Sequence, residues 1–287
     1  MTDIRTLLHR TTRELADGGS PSPRLDAEVL LMNFLKTDRL QLCMRPEREL
    51  TEDECTGYFQ WIERRRRGEP VAYITGGKEF WSLLFEVNRD VLIPRPETEC
   101  LIEEVLKCYD REPGDLRIID IGTGSGAIGV VLSRELPSAR VAATDISRGA
   151  LEVARRNAGR HGVAGRMEFI EGDLFASAVG EFDIIVSNPP YIPDDVFPLL
   201  PEGIRAFEPR QALIAGPDGT ALHRDIIREG TGRLKPGGRI FLEIGEGQKG
   251  PVETLFRENG LYDSIRFRAD YGGMNRVAVA RKTKIGC

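Results

Sequence analysis

Ile118-Ile119-Asp120-Ile121-Gly122-Thr123-Gly124-Ser125-Gly126-Ala127 decides the fold. A short apolar run reads as a buried parallel strand. Three glycines then allow a tight turn and close backbone approach to a ligand. A helical pattern follows, and its start offers unpaired N–H groups to a carboxylate or phosphate. The alternation continues downstream. Strands are predicted at 116–121, 139–144, 166–170, 182–187 and 238–244, and helices near 125–136, 147–160, 219–231 and 248–259. The last pair, 262–269 and 275–281, reads as an antiparallel hairpin. Together these predict an α/β, doubly wound, mostly parallel seven-stranded sheet, with the ligand outside the carboxyl ends of the strands at the switch point.

Upstream of the sheet the pattern differs. Residues 1–70 read as a small helical domain. Ile4, Leu7, Leu8 and Leu15 share one face, Ser22-Pro23 marks a cap and a first-turn proline, and Thr51 with Glu54 forms a capping box. Residues 71–93 carry β-type residues (Val71, Tyr73 and Ile74; Phe80 to Phe85; Val87, Val91 and Ile93) and are predicted as a β-hairpin linker. Residues 94–287 form the third region. It opens on the stiff Pro94-Arg95-Pro96 hinge and a helix running to about Tyr109.

The 287 residues are 40% hydrophobic and 30% charged, which supports a sizeable core. A net charge of −5 argues against a nucleic-acid substrate, which usually demands a basic footprint. Five scattered cysteines and three distant histidines give no metal spacing and suit a reducing compartment. No apolar run reaches membrane-spanning length and no secretory leader is seen, so a cytoplasmic location is expected.

Asp145 ends the strand after the glycine loop, where an acid can hold ribose hydroxyls. Gly122, Gly124 and Ala127 also satisfy the dinucleotide pattern. Asp120, placed to meet an ammonium, and Asp173, placed to accept from an adenine amine, weigh instead towards S-adenosylmethionine. Asn188-Pro189-Pro190-Tyr191 follows another apolar strand. Two prolines remove two backbone donors and leave the Pro189 carbonyl beside the Asn188 side-chain amide. Two acceptors next to an aromatic ring suit a planar NH2 group, although Asn-Pro is also common turn chemistry. Arg64-Arg65-Arg66-Arg67 reads as a solvated helix C-terminus, with contact to an acidic partner as the alternative.

Taken together, Asp120 through Gly126, Asp145 and Asn188 through Tyr191 resemble class I, Rossmann-like S-adenosylmethionine-dependent methyltransferases acting on planar nitrogens. Arg65 through Ile74 and Ile93 through Glu99 narrow this. They look like the bacterial peptide chain release factor N5-glutamine methyltransferase family, over nearly the whole chain. The resemblance implies a substrate, the glutamine of the Gly-Gly-Gln motif of class 1 release factors. It implies S-adenosylmethionine held by Gly122, Thr123, Gly124, Ser125 and Gly126, with Asp145 on the ribose, and S-adenosylhomocysteine as product. Leu174 falls beside the adenine, at a position commonly aromatic in the family. Asn188, Pro189, Pro190 and Tyr191 match the glutamine site, Asn188 is expected to touch the cofactor as well, and the helical domain is expected to dock the substrate protein. Alternatives are a ribosomal-protein glutamine methyltransferase and an adenine-N6 nucleic-acid methyltransferase. A dehydrogenase would leave Asn188 through Tyr191 without a role.

Overall fold

The computed structural model describes residues 2–109 and 114–284, so Cys287 lies outside it. The chain divides into two compact units, one made of residues up to 77 with 200–207 and the other of 78–199 with residues from 208 onward. No helix among the described residues is long and apolar enough to cross a membrane.

The first unit begins with β1 (Thr2–Asp3), α1 (Ile4–Asp17), α2 (Pro23–Leu35), α3 (Arg39–Met44), β2 (Glu49–Leu50), α4 (Glu52–Arg66) and α5 (Val71–Thr75). Its core gathers Leu7, Leu15, Leu30, Leu31, Tyr58 and Ile62, the stripe residues of three helices. The buried Tyr58 hydroxyl donates to the Ala27 carbonyl at 2.9 Å, so the ring enters the core without leaving a polar atom unpaired. Thr51 and Glu54 form the expected capping box of α4. Ser22 occupies the N-cap of α2, but its side chain makes no capping bond. Arg66 and Arg67 are exposed at the helix end as expected, yet all four arginines pair with acids of the same unit. Arg64 grips Glu69 with two 2.8 Å bonds, Arg65 pairs with Asp26 at 2.7 Å, and Arg66 and Arg67 both reach Glu63.

Val71–Ile74 is a helix, not the first part of a β-hairpin. Pro70 caps the turn and Gly76 ends it in the left-handed region at φ 73°. The adjacent residues Tyr73 and Ile74 are both buried, which a half-exposed strand would not allow. The hairpin is shorter, pairing β3 (Gly77–Phe80) with β4 (Leu83–Glu86). Trp81 and Ser82 form its two-residue turn, both at positive φ as such tight loops require. Val87, Val91 and Ile93 are buried but belong to no strand.

A single 3₁₀ turn (Pro96–Thr98) leads into α6 (Glu99–Tyr109). The alternating region follows: β5 (Arg117–Ile121), α7 (Ala127–Glu135), β6 (Arg140–Asp145), α8 (Arg148–Arg160), β7 (Met167–Glu171) and β8 (Phe182–Ser187). The chain then supplies α9 (Glu202–Phe207) to the first unit. It closes with α10 (Ala221–Gly230), β9 (Leu234–Glu243), α11 (Lys249–Asn259), β10 (Tyr262–Ala269) and β11 (Asn275–Lys282). The seven strands lie in the order β10-β11-β9-β8-β5-β6-β7. β11 runs antiparallel to β9, and the pairs from β9 to β7 are parallel. Successive residues of β5 feed opposite faces. Ile118 joins the layer under α6 and α7, and Ile119 the layer under α10 and α11. Burial on both faces explains the unbroken apolar runs. The order reverses between β5 and β8, whose ends Ile121 and Ser187 stand side by side.

Candidate active site

That register brings together two motifs far apart in sequence. The Ser187 hydroxyl donates to the Ile121 carbonyl at 2.7 Å and ties the two strand ends. The glycine loop leaves one strand and Asn188-Pro189-Pro190 leaves the other. Both line one cavity of about 170 Å³.

In the loop Gly122, Gly124 and Gly126 take φ values of 67°, 55° and 81°. Their surroundings differ. A Cβ on Gly122 would meet nothing within 4 Å, whereas one on Gly126 would sit 3.1 Å from the Ala154 Cβ. Gly122 and Gly124 therefore leave room on the cavity side, while Gly126 lets the loop pack on α8. Thr123 N–H donates to the Thr144 carbonyl at 2.9 Å, and Asn157 Nδ2 donates to the Ser125 carbonyl at 2.9 Å. Thr123 and Ser125 join Gly122 and Gly124 in the cavity wall.

Asp145 lines the cavity and accepts from Gly124 N–H and Ser147 N–H, each at 2.9 Å. A carboxylate has about four acceptor positions, so its backbone donors leave capacity for a hydroxyl of a ligand. Burial holds its carboxyl above the usual range. Asp173 and Leu174 line the same wall, Leu174 in the left-handed region at φ 47°. Ile146, 55% exposed, adds an apolar surface beside them. An acid with spare acceptor capacity and two apolar side chains fit the nucleoside end of S-adenosylmethionine, and the open space over the glycines leaves room for its polar end.

Asp120 is placed differently from the sequence expectation. It is fully buried and does not line the cavity. Its Oδ2 accepts from the Thr123 hydroxyl at 2.6 Å and from Gly129 N–H at 3.1 Å, so it braces the loop from behind. Burial pushes its carboxyl up to about 6, against those two donors.

Asn188, Pro189 and Pro190 line the cavity. Asn188 Nδ2 donates to Thr98 Oγ1 at 3.1 Å. Its Oδ1 and the Pro189 carbonyl meet no protein donor among the described residues. Tyr191 is not in the cavity wall. Its hydroxyl donates to Glu243 Oε1 at 3.3 Å and its carbonyl accepts from Gln248 Nε2 at 2.9 Å. The aromatic ring expected beside the two acceptors is therefore an anchor behind the cavity wall.

Three residues at or behind the cavity wall were given no role by the sequence reading. Thr98 lines the cavity and donates to the buried Glu243 at 2.6 Å. Glu208, also buried, accepts from Arg95 at 2.6 Å and from Ile93 N–H at 3.3 Å, fixing the hinge whose Pro94 and Arg95 line the cavity. The signal for Glu243 was an acid inside the apolar run Ile240 to Ile244. Glu97 stays exposed and outside the wall.

A family profile described as PrmC N-terminal domain matches residues 6–76, and one described as Methyltransferase small domain matches residues 98–196. The chain is 44% identical over 278 residues to the release factor glutamine methyltransferase of Moorella thermoacetica, covering 96% of this chain and 98% of that protein. It is 41% identical to that of Salmonella typhimurium, covering 98% and 99%. A solved methyltransferase from Pyrococcus furiosus shares the fold, with TM-score 0.51 at 21% identity over 79% of this chain and 99% of that one. Both family domains in order, with identity sustained from end to end, mean that the chain belongs to the release factor glutamine methyltransferase family.

Proposed function

We propose that the chain methylates the N5 side-chain amide of the glutamine in the Gly-Gly-Gln motif of class 1 peptide chain release factors, in the cytoplasm. S-adenosylmethionine supplies an electrophilic methyl group on a sulfonium and leaves as S-adenosylhomocysteine. Gly122, Thr123, Gly124 and Ser125 give its polar end close backbone approach. Asp145 accepts from the ribose hydroxyls, and Asp173, Leu174 and Ile146 border the base.

The observation that carries the reading is the commitment of Asn188 Nδ2 to Thr98. Asn188 then offers its oxygen, not its N–H2, to the cavity, beside the free Pro189 carbonyl. Two acceptors bind the two N–H bonds of a carboxamide and hold its nitrogen in one orientation. An amide nitrogen is a poor nucleophile, so orientation carries much of the catalysis, and it can lower a barrier by roughly 7–11 kcal/mol. The nitrogen becomes positive as the new bond forms. Both acceptors then bind it more strongly than in the ground state, which stabilises the transition state selectively. Tyr191 and Pro190 keep the clamp in place, and one N–H proton leaves the nitrogen once the methyl group is transferred.

The test is mass spectrometry of a class 1 release factor incubated with the protein and labelled S-adenosylmethionine. One methyl group on the Gly-Gly-Gln glutamine is expected. Label on a ribosomal protein or on nucleic acid, with none on the release factor, would replace this reading.

A further inference from the structure

An asparagine side chain presents oxygen on one edge and N–H2 on the other, and a half-turn exchanges them with little change in shape. Only one presentation accepts from a carboxamide. Something in the site must choose it. The choice traces back to an acid that is not itself part of the cavity wall.

Glu243 ends β9 at 1% exposure, after the apolar run Ile240-Phe241-Leu242. A charge there carries a desolvation penalty that an apolar residue would avoid. Its Oε2 lies 2.6 Å from Thr98 Oγ1 and its Oε1 lies 3.3 Å from the Tyr191 hydroxyl. An ionised carboxylate only accepts. Thr98 must therefore give Glu243 its single proton, which leaves only lone pairs facing Asn188. Those lone pairs attract the N–H2 edge, found at 3.1 Å, and repel the oxygen edge. We propose that Glu243 is a positioning residue that, through Thr98, fixes the Asn188 amide with its oxygen towards the cavity. This rests on the reading in which Asn188 accepts from the substrate glutamine.

The surroundings keep the device near its switching point. Burial raises the Glu243 carboxyl to about 7, Thr98, Arg276 and Tyr191 favour its charged form, and Glu97 opposes it. The His223 ring bonds the Glu243 backbone carbonyl at 2.8 Å, and burial pushes its imidazole below the usual range. A protonated Glu243 can donate to Thr98. The hydroxyl is then free to donate to Asn188, and the inverted amide becomes allowed.

The test is single-turnover methyl transfer to a purified class 1 release factor, with Thr98→Val and Thr98→Ser placed in wild type and in Asn188→Ala. Thr98→Val should slow transfer at least fivefold, with S-adenosylmethionine affinity within twofold. Thr98→Ser, which keeps the hydroxyl, should stay within threefold of wild type. In Asn188→Ala the valine should cost under twofold, because no amide remains to orient. The wild-type rate should also fall as pH drops through about 7, and Glu243→Gln should abolish that limb. Should Thr98→Val fail to fold, Glu243→Gln and the pH profile decide alone. A loss below fivefold, an equal loss in the Asn188→Ala background, or an unchanged acid limb in Glu243→Gln overturns the proposal. If Asn188→Ala is inert while Thr98→Val is fast, only the positioning role falls. If wild type leaves the glutamine unmethylated, the functional reading itself falls.

Discussion

At the scale of the residue, the proposed site is a set of acceptors held by neighbours in the cavity wall and by buried groups behind it. Asn188→Ala removes one acceptor without disturbing the strand. Turnover should drop more than tenfold, worth at least about 1.4 kcal/mol, with S-adenosylmethionine binding retained in calorimetry. Two buried acids set a second expectation. Asp120 and Glu243 rise from 3.8 and 4.5 to about 6 and about 7, chiefly through burial. A raised carboxyl binds its proton more tightly in the folded chain, so its contribution is greatest below the unfolded value. Stability should therefore decline as pH rises from about 4 to about 7. Asp120→Asn should flatten the lower part of that decline, read from urea midpoints at each pH. That Asn188, Pro189 and Asp145 border one cavity was legible because each stands at the carboxyl end of a strand marked by its apolar run. The bracing role of Asp120 was not, because sequence places a carboxylate beside a loop without saying which way it turns. Thr98 and Glu243 meet across 145 residues, through a register no local pattern encodes.

At the scale of the element, the glycine loop separates two tasks that its spacing blends. Gly124→Ala forces a left-handed alanine at φ 55° with no clash nearer than about 4 Å. Gly126→Ala adds a 3.1 Å approach to Ala154. Both incur roughly 1–2 kcal/mol of backbone strain. Gly124→Ala should therefore lower cofactor affinity more than it lowers melting temperature, and Gly126→Ala should do the reverse. Calorimetry beside thermal unfolding distinguishes them. The α4 capping box supplies an independent check, since Thr51→Ala should destabilise the first unit by about 1 kcal/mol in denaturant unfolding. The strands of the central sheet were read to within a residue or two, except β9, which begins at Leu234, four residues before its expected start. Val71–Ile74 was misread because its β-branched residues imitate a strand. The bracket of Pro70 and Gly76 outweighs that propensity over five residues.

At the scale of the whole molecule, a clamp for one carboxamide cannot tell one glutamine from another. Recognition of the protein must come from contacts beyond the cavity, whose binding energy is used to hold the amide in place. A short Gly-Gly-Gln peptide should therefore show kcat/KM at least 100-fold below that of an intact release factor, measured with the same labelled donor. The two-unit division was partly legible, as helices before an alternating region. The return of α9 was not, since six residues of weak pattern give no sign of which core they join. That return constrains any exchange of parts between relatives. Gly203 in α9 approaches the Gly68 carbonyl so closely that an added Cβ would lie 2.6 Å from its oxygen. A chimera that trades only the first 77 residues would keep α9 from the other parent and mismatch this contact. Trading 200–207 along with them should restore the melting temperature, which makes the amino-terminal piece a module with two ends to graft.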